Sequence, residues 1–328
     1  MDAIYTDDEA ARVHLESLLW PDGPVCPHCG VVDEATLMKG KSHRPGLYNC
    51  RACDKPFTVT VGTIYERSHI PLHKWVYATH LMTASKKGIS AAQLHRMLGF
   101  GSYRTAWFMA HRIREAMKGS SGTEPLGGEG KVVEADETYF HKVETPSDVR
   151  ADGMPFMKDR GLKRKNLNYG SANKRRIVVL VERGGKSRGF HVAGADRETV
   201  EQLLDANVSK DSRLHTDESP IYKRFGKRFK MHETVNHSKD EYVRGDVTNN
   251  SAEGFFNVFK RGMIGTYQHC GEAYLQRYVV EFEFRHNTRA KLGVNDKERA
   301  TLAVKGAAGK RLTLRRPKGE QGASAPTA

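Results

Sequence analysis

Apolar residues at Ala11, Leu15, Leu18 and Leu19 recur at i, i+4, i+7 and i+8, a spacing that predicts a short amphipathic helix within residues 1–20. Periodicity then stops. Residues 21–64 are rich in Pro, Gly and Cys and predict a small irregular unit, set here at 21–70. Helical spacing returns over 71–118. Trp75, Val76, Tyr77 and Leu81 predict a core-facing helix over 72–85. Ser90 and Gln93 have capping-box spacing and start the next helix, which Gly99 and Gly101 stop. A further helix begins near Ser102 and buries Ala106, Ala110, Ile113 and Met117, leaving Arg104, His111 and Arg112 on its other side. The Gly/Ser-rich stretch 119–130 reads as a linker.

From Lys131 short apolar runs alternate with helical ones. Strands are predicted at 132–140, 174–181, 187–192, 213–217 and 231–235. A helix at 197–208 faces inward through Val200, Leu203 and Leu204. Another follows Asn249, with Ala252, Phe255, Phe259 and Met263 as its core stripe and Glu253, Phe256, Asn257 and Lys260 on another face. Three strands, a helix, then further strand and helix units over 131–300 are the order of a ribonuclease-H-like α/β domain. Residues 301–328 are rich in Ala, Gly, Lys, Arg and Pro and read as a basic disordered tail.

The chain has 328 residues, of which 38% are apolar and 28% charged, the balance of a globular protein with two or three domains. Its longest aliphatic run, 177–181, is far short of the roughly 20 residues that span a bilayer. The start is acidic (Asp7, Asp8, Glu9), unlike a secretory leader, so a cytoplasmic protein is expected. Lys and Arg number 53 against 39 Asp and Glu, a formal net charge of +14 that attracts polyanions. Residues 158–176 concentrate cations, among them Lys163, Arg164 and Lys165. Residues 222–230 interleave Arg224, Lys227 and Arg228 with aromatic rings, a pattern suited to phosphates and exposed bases, or to a solvated basic strand edge.

Four cysteines fall in two pairs, Cys26-Pro-His-Cys29 and Cys50-Arg-Ala-Cys53. Each pair fits a tight knuckle, and two knuckles complete the closed tetrahedron of a structural Zn²⁺ site. With no secretion signal, disulfides are disfavoured. Tyr48 and Phe57 flank the second knuckle, His28 is surplus to the ligand set, and Cys270 reads as an ordinary small residue. The short helix, glycine turn and basic helix over 88–118 are how a recognition helix is presented to a major groove, although an αα-hairpin packed on a neighbour gives the same pattern.

Three acids sit at the ends of predicted elements: Asp136 on the first strand, Asp217 on the fourth, and Glu253 on the following helix. Lys260 comes seven residues after Glu253, two turns along the same side. Phosphodiester transfer passes through a phosphorus with extra negative charge, which two Mg²⁺ ions about 3.5–4 Å apart clamp. Carboxylates are the hard oxygen ligands such ions accept. Each acid also has a plainer reading: Asp136 and Asp217 as turn residues, and Glu253 as a helix cap.

These motifs, in this order, resemble the DDE transposases of bacterial insertion sequences, in the ISXO-type group that joins a zinc ribbon to a ribonuclease-H-like catalytic domain. The likeness spans about residues 8–292. It rests on the cysteine pairs, Phe-Thr-Val-Thr-Val-Gly-Thr-Ile at 57–64, Lys-Gly-Ile-Ser-Ala-Ala-Gln-Leu at 87–94, Glu-Ala-Asp-Glu-Thr-Tyr around Asp136, His-Thr-Asp at 215–217, the run 249–262 and Gly-Thr-Tyr at 265–267. The resemblance implies that Asp136, Asp217 and Glu253 bind two Mg²⁺ or Mn²⁺ ions, with 35 residues between the second and third acids. It also implies that Lys260 meets DNA. Arg104, Arg112, Lys163, Arg164, Lys165, Arg224, Lys227 and Arg228 are the other expected DNA contacts. The implied partners are double-stranded DNA, as terminal inverted repeats and target, and further copies of the chain assembled on that DNA near the bacterial nucleoid. The implied reaction is cleavage at element ends followed by strand transfer. A metal-dependent nuclease or resolvase of the same fold, or a domesticated DNA-binding regulator, shares most of these features. The basic segment 141–173 departs from the family pattern and reads as an added DNA-contact loop.

Overall fold

The computed structural model describes residues 2–142, 174–236, 241 and 243–313. Lys163, Arg164, Lys165, His237 and residues 314–328 of the expected tail lie outside the described residues. Helix α1 (Asp8–Leu19) begins at Asp7, whose carboxylate accepts the Ala10 N–H at 2.7 Å, and it buries Ala11 and Leu15. Three short antiparallel strands follow: β1 (Ala35–Leu37), β2 (Tyr48–Cys50) and β3 (Pro56–Phe57). Their small core is Cys26, Cys50 and Phe57, with Trp20 and Tyr48 packed against it.

Three helices come next: α2 (Leu72–Ala84), α3 (Ala91–Leu98) and α4 (Tyr103–Ala116). Ser90 caps α3 by accepting the Gln93 N–H at 3.1 Å, and Gly99 ends it in the left-handed region at φ 59°. Ser102 caps α4. The apolar stripe of α4 is buried as its spacing predicts. Its opposite side is buried too: His111, Arg112 and Arg114 are all enclosed, while Arg104 is exposed.

The remaining elements are β4 (Val132–Lys142), β5 (Lys174–Glu182), β6 (Ser187–Val192), α5 (Arg197–Asn207), β7 (Arg213–Thr216), α6 (Pro220–Lys223), β8 (Met231–Thr234), the hairpin β9 (Val243–Arg244) and β10 (Val247–Thr248), α7 (Asn250–Gly262), α8 (Leu275–Asn287) and α9 (Asp296–Lys305). Five strands form one mixed sheet in the order β6-β5-β4-β7-β8. The β6-β5-β4 part is antiparallel, and β4-β7-β8 is parallel. Successive strand residues point to opposite faces. Ile177, Val179 and Val181 accordingly pack under α7 and α8, while Val178 and Leu180 pack under α5 and Tyr222. Both faces are covered, as the continuous apolar run 177–181 requires.

Residues 301–313 do not form the tail expected from composition. Helix α9 runs through Lys305, and Ala303, Val304 and Ala307 join one helical core with α1, α2, α4 and part of α8. Alanines contribute little to hydropathy but let backbones approach closely. A Cβ on Gly306 would lie 2.2 Å from the Ala116 carbonyl oxygen. Just beyond, the Lys310 ammonium donates to the Lys118 and Ala116 carbonyls, 2.7 and 3.2 Å away, at the C-terminal end of α4.

Candidate active site

The central strands bring two acids to one level. Parallel pairing of β4 with β7 sets Glu134 opposite His215, and continuing that register by two residues sets Asp136 level with Asp217. Asp217 lies just past β7, where its Oδ1 accepts the Ser219 N–H at 3.0 Å. Glu253 enters from the first turn of α7. Burial, then the charges of Glu137, Asp217 and Glu253, push the Asp136 carboxyl up to about 8. The three acids drawn from sequence therefore share one electrostatic site.

Two neighbours were not drawn from the sequence. Glu137 donates its backbone N–H to Asp136 Oδ1 at 2.9 Å. Its own carboxyl accepts the Tyr222 hydroxyl at 2.5 Å, and burial, with the Asp217 charge adding to it, raises its pKa despite that bond. Tyr222 is fully buried. Adjacency of Glu137 to Asp136 was the available signal. Alternation along a strand argues against it, because neighbours face opposite sides.

Crowded carboxylates raise one another's affinity for protons, and hence for cations. Their oxygens are the hard donors that Mg²⁺ and Mn²⁺ take, so the residues fit a divalent site. Lys260 is half-buried two turns along α7 from Glu253. Phe256, expected on that polar side, instead packs into the core with Phe255 and Phe259.

The four cysteines converge as their spacing predicts. The Cys26–Cys53 and Cys29–Cys50 sulfur pairs are each 3.7 Å apart, and all four sulfurs lie within 4.8 Å of one another. A tetrahedron with Zn–S of about 2.3 Å has edges of about 3.8 Å, so the set fits Zn²⁺. Although burial raises the Cys26 thiol, the N–H groups of His28 and Cys29 hold it down to about 6. Burial, then the surrounding sulfurs, push Cys53 up to about 12. Metal ligation requires the thiolate form, so Zn²⁺ binding would ionise all four sulfurs.

A family model of the ISXO2-like transposase domain matches residues 125–287, and one of the transposase zinc-ribbon domain matches residues 6–56. The chain belongs to the ISXO2-like insertion-sequence transposases. The ISXO2-like match contains Asp136, Asp217 and Glu253, and the zinc-ribbon match contains all four cysteines. Over 292 residues the chain is 27% identical to an uncharacterised protein in transposable element ISH50 of Halobacterium salinarum, covering 88% of this chain and 94% of that protein. Among solved structures it is similar to the Mos1 strand transfer complex, with 11% identity, 61% of this chain and 72% of that chain covered, and a TM-score of 0.21. For a pre-cleavage Mos1 transpososome the corresponding values are 11%, 60%, 72% and 0.20. Among the described residues, no helix of this ISXO2-like protein is long and apolar enough to cross a membrane.

Two expected DNA contacts need correction. Arg112 is buried. Its Nη2 donates to the Glu66 carbonyl at 2.7 Å, and its guanidinium lies over Trp75 (5.1 Å to the ring centroid) and Phe108 (5.8 Å). It holds the helical core together and presents no charge to a groove. In 222–230 the cations Arg224, Lys227 and Arg228 are exposed, but Tyr222, Phe225 and Phe229 are buried, so the rings are not platforms for bases. They pack into one core with Val200 and Leu204 of α5.

Proposed function

We propose that this chain cuts DNA at the ends of its element and joins the freed 3′ ends to a target duplex. Asp136, Asp217 and Glu253 would be the metal ligands of a ribonuclease-H-like domain. The observation that carries this reading is the convergence of three carboxylates from two adjacent parallel strands and a following helix, with Asp136 pushed up to about 8. The sheet order, three antiparallel strands continued by two parallel ones, supports that fold. Mg²⁺ or Mn²⁺ ions, two per site, would activate the attacking oxygen and stabilise the leaving one.

The three carboxylates would anchor the scissile phosphate's surroundings, and Lys260 would neutralise a neighbouring phosphate. In the first step a water oxygen attacks phosphorus, and the 3′ oxygen leaves and takes up a proton. In the second, that 3′ hydroxyl attacks a target phosphodiester, loses its proton and displaces the target's own 3′ oxygen. One phosphodiester forms as another breaks, so no external energy is needed. Helices α3 and α4, with Arg104 exposed at the start of α4, would read the terminal inverted repeats as a helix-turn-helix. Arg224, Lys227 and Arg228, just after Asp217 in the chain, would hold the backbone. Lys163, Arg164 and Lys165 would add contacts from the basic segment 141–173. Joining two ends at once calls for more than one copy of the chain on the DNA.

The test is incubation of the purified protein with Mg²⁺, DNA carrying the repeats that flank its gene, and a plasmid target. Joined product is expected, and Asp217→Asn should lower it by at least about a hundredfold while leaving end binding intact. Nicking without joining would replace this reading with a nuclease. Binding without cleavage would replace it with a regulator.

A further inference from the structure

One buried carboxylate touches the elements that carry all three acids. Glu134 is fully buried on β4, two positions before Asp136 and so on the same face of the strand. Its Oε2 accepts the N–H groups of Ser251 and Ala252 at 2.6 and 3.2 Å. Its Oε1 accepts the Ser251 hydroxyl at 3.0 Å and the Arg183 Nε–H at 2.9 Å. Asn249, at the N-cap position of α7, makes no side-chain cap bond. The helix that carries Glu253 is thus capped from outside, by the strand that carries Asp136.

Arg183 extends the connection. Its Nη1 donates to the Asp246 carbonyl at 2.8 Å, and its Nη2 lies 3.2 Å from both the Thr248 carbonyl and His215 Nδ1. His215 is fully buried, two positions before Asp217, and pairs with Glu134 in the β4–β7 register. Ser251 is two positions before Glu253. Two positions upstream of the acids therefore stand Glu134 itself, His215, which meets Arg183, and Ser251, which meets Glu134.

We propose that Glu134 and Arg183 form a positioning hub that sets the mutual spacing of Asp136, Asp217 and Glu253. This rests on the reading of those three as metal ligands. A buried ion pair is weak evidence for stability, because desolvation offsets its Coulombic gain. Its geometric consequence is large, because the Glu134 carboxylate holds the first turn of α7 directly and reaches His215 of β7 through Arg183. Outer groups that orient metal ligands affect affinity by about 10–100-fold.

Glu134→Gln keeps the side chain's shape but turns one acceptor oxygen into a donor facing other donors. Mn²⁺ titration of the full-length protein, followed by electron paramagnetic resonance of the free ion, reads the site without turnover. Asp136→Asn marks which ions belong to it. The expected result is binding weakened by about tenfold or more in Glu134→Gln, with helical circular dichroism and metal-free DNA binding as in the parent. Ser251→Ala, lacking one donor only, should give a smaller loss in the same direction. Unchanged Mn²⁺ affinity in Glu134→Gln overturns the hub. Should that variant fail to fold, Ser251→Ala and Arg183→Lys decide: parent-like affinity in both overturns it, and weakened affinity with an intact fold supports it. If the parent takes up no Mn²⁺ that Asp136→Asn abolishes, the metal-ligand reading itself fails, and the hub with it.

Discussion

His111 shows what burial does to a single side chain. Its ring has no exposed surface and sits between Trp107, Tyr274 and Tyr278, with centroids 4.2, 5.1 and 5.8 Å away. Neither ring nitrogen has a hydrogen-bond partner among the described residues. Burial, then the charges of Arg114 and Arg277, push its pKa down to about 2. The folded protein holds a neutral ring where the unfolded chain, titrating near 6.5, takes a proton. The stability at stake is therefore whole above about pH 6.5 and drains away as pH falls. Glu283 runs the other way. Burial lifts it to about 7, so its contribution is present at low pH and lost as pH rises toward 7. The two slopes oppose each other between about pH 5 and 6.5, and one denaturation profile conceals both. His111→Phe separates them, since an aromatic ring fits the cage and no hydrogen bond is lost. Relative to the parent, it should gain about 1.4 kcal/mol more at pH 5.5 than at pH 7.5, read from urea melts. Equal gains at the two pH values would show that the ring is not held neutral.

Elements were legible in the sequence wherever one face met one partner. The run 177–181, the stripe of α4 and the Cys-x-x-Cys pairs all reappear as read. The errors share a cause: periodicity identifies a first buried face and is silent about a second. Helix α4 is covered on more than one side, which is why Arg112 is enclosed against Trp75 of α2 and His111 against Tyr278 of α8. The sequence gives no sign of the role of Glu134, although it stands two residues from Asp136, because its partners lie 49 and 117 positions away along the chain. Where an element has almost no core of its own, the ligand must hold it. Strands β1 to β3 enclose only Cys26, Cys50 and Phe57, while Trp20 sits edge-on to Tyr48 and Phe57 at 5.5 and 5.7 Å. Chelating the zinc should therefore unfold this ribbon and leave the helical core standing. Trp20 fluorescence should shift to the red in step with zinc release measured by a chromogenic dye, and Trp20→Phe should remove that shift while circular dichroism retains most of its helical signal. A shift that persists in Trp20→Phe would place the change at Trp75 or Trp107, in the helical core.

At the scale of the whole molecule, α8 belongs to two cores at once. Leu275, Val279 and Phe282 pack under the sheet, whereas Val280 and Phe284 pack with α2, α4 and α9. The junction is polar as well as apolar. Glu281 is fully buried and takes the Arg114 Nε–H at 2.6 Å, the Tyr267 hydroxyl at 2.5 Å and a bond from Arg285, whose guanidinium also reaches the Met82 carbonyl at 3.2 Å. Burial raises the pKa of Glu281, but Arg285 and Arg114 overcome it and hold the carboxyl below the usual range. The helix carrying Arg104 and the sheet carrying the acids are thus joined through α8, by its apolar residues and by one ionised carboxylate. Removing one member of such a network leaves buried charge uncompensated, and Glu281→Gln strands two arginines. It should cost about 3–5 kcal/mol. If α8 couples the two cores, the loss appears in both together: hydrogen exchange should quicken by similar factors at the amides of β5 in the sheet and of α2 in the helical core, within one cooperative transition. Faster exchange in α2 with β5 unchanged would mean that the two cores unfold independently. Under the proposed function, a DNA contact at α3 and α4 would then have no rigid path to the acids, and end recognition would have to be linked to cleavage through the DNA itself.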